Sequence, residues 1–229
     1  MTLEARQALE AADAVVGYHA YLELVADVIA GKPVLGSGMM QEVERCQAAV
    51  DRAVSGENVA VVSSGDPGIY GMAGLVLELV ARLPEKERPG VRIIPGVSAV
   101  GSAAAALGAP LMHDFAVISL SDLLTPWDLI EKRVRAAAEA DFVIAIYNPK
   151  STRRTQQIEK VREIVLQHRA PATPVGVVRS VTRADEAVVI TTLDRFTTEK
   201  IDMFTTVIIG NSQTFREGPF MITPRGYAL

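Results

Sequence analysis

Short runs of branched aliphatic residues, separated over most of the chain by segments of helical periodicity, are what most restricts how this sequence can fold. The runs are Ala14–Gly17, Val59–Ser63, Val91–Ile94, Ala116–Leu120, Phe142–Tyr147, Val175–Arg179, Val188–Thr192 and Thr206–Ile209. Each is bounded by turn residues, so each reads as a strand. Between them, Leu3–Ala12, Tyr18–Ala30, Gln41–Val54, Met72–Leu83, Val97–Leu107, Trp127–Glu139 and Thr152–His168 carry apolar residues at three- and four-residue spacing and read as helices. Strands that alternate with helices pair in parallel, because a parallel return needs a crossover and the crossover helices cover both faces of the sheet. From Val175 to Ile209 strands follow one another with little helix between them, which predicts a mixed or antiparallel second sheet.

The sequence therefore predicts a two-domain α/β protein, with a mostly parallel N-terminal sheet, a mixed C-terminal sheet and a cleft between them. Gly108-Ala-Pro110 interrupts the pattern just before a new strand, which puts the boundary near residue 113 and gives domains over 1–113 and 114–229. With 229 residues and 49% hydrophobic content the chain can fill such cores. A net charge of −4 favours neither nucleic acid nor an anionic membrane, and no apolar run approaches the ~18 residues that span a bilayer. A small-molecule partner and a cytoplasmic location follow as expectations. The single cysteine, Cys46, has no partner for an internal disulfide and sits in a helical pattern as packing.

Ligands of open α/β sheets bind beyond the carboxyl ends of strands, so the turns after strands hold the functional information. The first is Ser63-Ser-Gly-Asp-Pro-Gly-Ile-Tyr-Gly71. Asp66-Pro67 reads equally well as an N-cap with its first helical residue, while Gly68, Gly71 and Gly74 weaken a helix by about 1 kcal/mol each and point to a close approach by another group. The second is Pro95-Gly-Val-Ser-Ala99, where Ser98 either caps a helix or offers its hydroxyl to a ligand, and where tight helix packing explains the small residues as well. The third is Tyr147-Asn-Pro-Lys-Ser-Thr-Arg-Arg154, which sets three cations at the start of a predicted helix whose dipole is already positive there. An anionic ligand would relieve that conflict, and so would neighbouring carboxylates.

Other chemistries lack their signatures. His19, His113 and His168 have no metal-ligand spacing, and neither a phosphate loop nor a nucleophile elbow occurs. Gly36-Ser-Gly38 is a weak dinucleotide candidate because no convincing strand precedes it. Transfer between two bound organic molecules suits the remaining turns best.

The strings Gly65-Asp-Pro67, Pro95-Gly-Val-Ser-Ala99 and Val207-Ile-Ile-Gly-Asn-Ser212 resemble the tetrapyrrole (corrin/porphyrin) methylase family. Within it, Ile118-Ser-Leu-Ser-Asp-Leu-Leu-Thr-Pro-Trp127, Asp141-Phe-Val-Ile-Ala-Ile-Tyr-Asn-Pro149 and Val15-Val-Gly-Tyr-His-Ala-Tyr21 are similar to precorrin-3B C-17 methyltransferases and their cobalt-handling counterparts. The resemblance implies a homodimer that takes a methyl group from S-adenosylmethionine, releases S-adenosylhomocysteine and methylates C-17 of precorrin-3B, or of the cobalt-precorrin, as the corrin ring contracts in cobalamin biosynthesis. It implies cofactor contacts at Ser64, Gly65, Asp66, Ile69, Ser98, Ala99 and Asn148, with Arg179 and Gly210 completing the pocket. Lys150, Arg153, Arg154 and Arg183 become clamps for the substrate's carboxylate arms, and Asp122 and His113 become acid/base candidates. Capping or ordinary packing is the competing role for the last two. Relatives open with a strand and a Gly-x-Gly-Pro-Gly turn ahead of the segment equivalent to Thr2–Ala12, so an N-terminal domain without that strand is expected here. Another methylase of the same fold, or a non-catalytic binding relative, is the alternative.

Overall fold

The structure, a computed structural model, describes residues 1–228 and divides into two compact units, Met1–Ser98 and Ala99–Leu229. The N-terminal unit runs α1 (Leu3–Ala11), β1 (Ala14–Tyr18), α2 (His19–Glu23), β2 (Val34–Ser37), α3 (Glu42–Val54), β3 (Val59–Val62) and α4 (Ala73–Ala81). Its sheet has the order β2-β1-β3 and is wholly parallel, as the βα alternation requires. β1 lies in the middle with Ala14, Val15, Val16 and Gly17 buried, which is why it reads as an unbroken apolar run. Leu9, Val15, Leu22, Val28 and Ile29 form one apolar cluster, while Cys46, Val50, Leu79 and Val80 join α3 to α4. Burial pushes the Cys46 thiol up, away from the reactive thiolate, in keeping with packing.

Two expectations change here. Val34–Ser37 is a strand despite the preceding Pro33 and its own Gly36, because β1 supplies a complete ladder partner for it. Val91–Ile94 is not a strand: no ladder pairs with it among the described residues, and Val91 and Ile93 are exposed. A β-rich composition without a partner edge yields extended chain only.

The C-terminal unit continues with α5 (Ala99–Leu107), β4 (Gly108–Ala109), β5 (Phe115–Ser119), α6 (Trp127–Glu139), β6 (Val143–Tyr147), α7 (Gln157–Leu166), β7 (Pro174–Arg179), β8 (Ala187–Thr192), β9 (Thr205–Ile209), β10 (Phe215–Glu217) and β11 (Phe220–Ile222). Its main sheet, β5-β6-β9-β7-β8, is mixed: β5 and β6 run parallel, and every other pair is antiparallel. Successive residues of a strand face opposite sides, and β6 uses both. Ile144 and Ile146 join Ile130, Val134, Val161 and Ile164 of α6 and α7, while Val143 and Ala145 join Val100, Ala103 and Leu107 of α5. Leu107 packs over Gly176, where a Cβ would stand 2.6 Å from its Cδ2, so α5 belongs to this unit although the interruption at Gly108 lies after it. Among the described residues, no helix is long and apolar enough to cross a membrane.

Arg169 fastens this unit from within. Its side chain is fully buried and donates to the carbonyls of Gly210, of Phe142 at 2.6 Å and, more weakly, of Ala137 at 3.5 Å. Asp141, in the left-handed region at φ 58°, stands 3.5 Å from its Nε and accepts from both the amide and the hydroxyl of Ser212. Burial lowers the affinity of Arg169 for its proton and Asp141 opposes that, so the guanidinium is held charged by the groups it bridges. Arg169→Met should lower unfolding free energy by about 2–4 kcal/mol, because buried carbonyls lose their donors. Urea unfolding would record this as a lower midpoint with an unchanged slope, whereas Arg169→Lys should fall between the two.

Candidate functional site

In the N-terminal unit the candidate residues gather at the carboxyl ends of the parallel strands. β3 ends at Val62, and the chain turns through Ser63, Ser64 and Gly65, where φ is +71°, a region glycine enters without strain. The Asp66 carboxylate then accepts from the Gly68 amide at 2.8 Å through Oδ1 and from the Gly96 amide at 2.9 Å through Oδ2. A Cβ at Gly96 would strike the Gly65 carbonyl, coming within 2.9 Å of its carbon. Two turns separated by thirty residues are thus in backbone contact, with one carboxylate stitched across them. Asp66 is not the cap of α4, which begins only at Ala73.

The amide of Gly96, followed by that of Gly68, holds the Asp66 carboxyl below its ordinary value of 3.8. Ser64, Gly65, Gly68, Ile69 and Tyr70 face solvent on this loop, and no Lys or Arg occurs between Val59 and Ala81. Such a surface offers peptide donors, peptide acceptors and apolar side chains without fixed positive charge. It offers hydrogen bonds and apolar contact and carries no cation to pair with an anionic group.

The C-terminal unit gathers a second group at the ends of its parallel pair, β5 and β6. Ser119 and Tyr147 are opposite each other in the ladder. Asn148 follows at φ 50° and donates from Nδ2 to Ser119 Oγ at 2.9 Å, while the Tyr147 hydroxyl accepts from the Val100 amide at 2.8 Å, next to Ala99. Arg154 folds back to donate to the Asn148 carbonyl at 2.8 Å and lies 3.8 Å from Asp122, which also accepts from Gln157 at 3.0 Å. Ala99, Asn148, Arg154 and Asp122 are therefore brought together, along with Ser119, whose part only the β5–β6 register discloses.

The predicted helix at Thr152 does not form. Residues 151–154 close a separate turn, with Ser151 Oγ accepting from the Arg154 amide at 3.1 Å, and α7 starts only at Gln157. The conflict between cations and helix dipole is absent because the chain spends those residues before the helix begins. Lys150 and Arg153 enter no ion pair among the described residues, whereas Arg154 has only 13% of its side chain exposed.

Of the other nominated residues, Arg179 ends β7 on the same sheet edge as Asn148, two strands away, whereas Gly210 and His113 lie toward the opposite edge. Arg179 donates to Asp202 and Asp185, both at 2.7 Å, and those bonds, Asp202 first, raise its affinity for its proton. Arg183 lies over the Phe204 ring, 5.9 Å from its centroid. Gly210 is buried with both backbone groups used, donating to Pro174 at 2.9 Å and accepting from Arg169. His113 precedes β5, where its Nδ1 accepts from the Asp114 amide at 2.9 Å, while Asp122 follows β5. A five-residue strand spans roughly 16 Å, so these two are not gathered at one end of the sheet.

Gly96→Ala should break the stitch between the turns, lowering stability by about 2 kcal/mol as expected for forced overpacking. NMR titration of this variant should find the Asp66 carboxyl moved up toward 3.8. Because the wild-type carboxyl is depressed on folding, its contribution to stability is complete above the unfolded value and fades as pH falls through the lower folded value, an acid-side loss that Gly96→Ala should reduce.

Residues 1–197 match the Tetrapyrrole (Corrin/Porphyrin) Methylases. The chain is 53% identical to the probable cobalt-factor III C(17)-methyltransferase of Salmonella typhimurium, covering all of this chain and 94% of that protein. It is 52% identical to the cobalt-factor III methyltransferase of Priestia megaterium, spanning only 42% of that protein. Among solved structures, the methyltransferase CobJ superposes with a TM-score of 0.92 at 40% identity over 98% of this chain and 93% of that one. The uroporphyrin-III C-methyl transferase of Thermus thermophilus complexed with S-adenyl homocysteine, at 22% identity and a TM-score of 0.69 over 92% and 90% of the two chains, shares the fold. With its parallel and mixed sheets and its stitched glycine turns, the chain belongs to the tetrapyrrole (corrin/porphyrin) methylases.

Proposed function

We propose that this protein transfers a methyl group from S-adenosylmethionine to C-17 of a precorrin-3B-type tetrapyrrole, cobalt-loaded or metal-free, as a cytosolic homodimer in cobalamin synthesis. The observation that carries the reading is the Asp66–Gly96 stitch, which leaves a glycine-lined loop without basic residues at the carboxyl edge of the parallel sheet. Sequence identity above one half to a protein named for that activity, over nearly its whole length, supports the choice of carbon.

When bound, S-adenosylmethionine supplies a methyl group made electrophilic by its positively charged sulfur. The protein's share is orientation and exclusion of water. Gly65 and Gly96 hold their turns at backbone contact, so peptide groups and Ile69, rather than bulky side chains, face the donor. Ser64, Ser98 and Ala99 extend that lining. Asn148, its Nδ2 engaged by Ser119, presents Oδ1 as an acceptor suited to an adenosine edge. Lys150 and Arg153, the cations outside ion pairs, take the substrate's acetate and propionate arms, and Arg183 on its aromatic support adds a third. Arg154 braces the Asn148 turn, with Asp122 as its counter-charge. The positions of His113 and Asp122 at opposite ends of β5 leave Asp122 as the better placed proton carrier of the pair.

Calorimetry with S-adenosylhomocysteine should register saturable binding. Gly65→Val, which forces a branched side chain into the left-handed region, should weaken that binding by tenfold or more, about 1.4 kcal/mol. Incubation with S-adenosylmethionine and cobalt-factor III or precorrin-3B should add one methyl group at C-17. Methylation at another carbon would assign a different methylase activity, and no detectable heat at millimolar ligand would make this a non-catalytic relative.

A further inference from the structure

We propose that the turn Ser37–Gln41 is the seat for one face of the tetrapyrrole ring, with Met40 and Met39 as its apolar contacts and Arg45 as the positioning residue behind it. This rests on the methyl-transfer reading and names residues that reading does not use.

Met40 has φ 64°, a conformation a long side chain adopts only under constraint, yet it is 74% exposed, and Met39 is 56% exposed. Neither methionine side chain is buried in return for that geometry. The constraint is built with care all the same. Gln41 Oε1 accepts from the Gly38 amide at 2.8 Å, and Glu42 Oε1 accepts from the Met40 amide at 3.2 Å. From below, Arg45 donates through Nη1 to Ser37 Oγ at 2.6 Å and to the Gly38 carbonyl at 3.1 Å. Its side chain is only 4% exposed, its Nε has no partner, and Glu42 lies 3.7 Å away. A guanidinium has been taken out of water, incompletely paired, to fix a surface turn whose tip is a pair of methionines.

Location indicates what the turn faces. Ser37 pairs with Tyr18, and Gly17 pairs with Val62, so the methionine turn, His19 and the Ser63–Asp66 loop leave one sheet edge from neighbouring strands about 4.8 Å apart. Arg45 Nη2 reaches Met72 Sδ at 3.9 Å, and the Met72 amide donates to Ser63 Oγ at 3.1 Å, which ties the turn to the glycine loop itself. A methyl acceptor must sit within van der Waals reach of the donor, so its seat has to adjoin that loop. Thioethers suit a flat polarisable ring, because they are unbranched and conform to its face. At the rim stands His19, exposed and packed so tightly on Gly36 that a Cβ there would come within 2.5 Å of its Cε1. Its imidazole is placed to meet a peripheral carboxylate. Val43 and Leu35, 56% and 39% exposed, extend the apolar patch.

The test is Met40→Gly, since glycine takes φ 64° freely and the fold is expected to keep or gain thermal stability. Wild type and variant are compared for S-adenosylhomocysteine binding, for equilibrium dialysis of cobalt-factor III, and for KM and kcat. Cofactor affinity and kcat should hold, while tetrapyrrole Kd and KM should rise about tenfold, the size expected when a uniform apolar contact is lost. Met40→Leu, which restores the bulk, should recover most of that loss. Unchanged Kd and KM in Met40→Gly, with wild type active, overturn the seat. So does a Met40→Gly chain that sediments as a monomer while KM is unchanged, which makes the patch a contact between copies. A wild-type protein that binds cofactor but no tetrapyrrole removes the functional reading and the seat with it.

Discussion

The Asp66 carboxylate accepts from the amides of Gly68 and Gly96, and in doing so it converts two separate chain reversals into one surface. Its geometry works only because Gly96 has no side chain, since the Gly65 carbonyl occupies the place of a Cβ. Both carboxylate oxygens of the aspartate are thereby engaged by the backbone. What the loop presents outward is mainly its peptide groups, which can hydrogen-bond but carry no charge.

Buried arginines do comparable work in both units, and the difference between them is instructive. Arg169 is surrounded by carbonyls that need its donors, so its burial closes the polar accounts of a helix end and a strand end together. Arg45, whose Nε like that of Arg169 has no hydrogen-bond partner, gives its donors to a turn that otherwise faces water. A charge desolvated for the sake of an exposed turn is a cost that folding alone does not explain.

Basic residues near Asn148 divide by what holds them. Arg154 is shielded and braces the backbone, whereas Lys150 and Arg153 are left for solvent or ligand. Arg179, at another strand end, is held by two aspartates that pair with its Nε and Nη1.

Much of the fold was legible in the residue pattern. The βα alternation determined a parallel N-terminal sheet and the strand run after Val175 a mixed C-terminal one, because side-chain periodicity is a local property that burial of one or both faces writes into the sequence. The strings around Gly65, Gly96 and Asn148 marked chain reversals that side-chain hydrogen bonds hold in place. What the sequence left open were matters of partnership. Val34–Ser37 became a strand and Val91–Ile94 did not, since a ladder needs a neighbour that composition cannot name. Helix α7 began at Gln157 rather than Thr152, because Ser151 and Arg154 close a turn of their own and Arg154 reaches back to the Asn148 carbonyl. Only tertiary structure could decide that Asp66 binds Gly96, that Ser119 binds Asn148 and that Arg45 holds Ser37, for each of these bonds joins chain segments through their positions in space, and hydrogen bonds at that range leave no periodic trace in the order of residues.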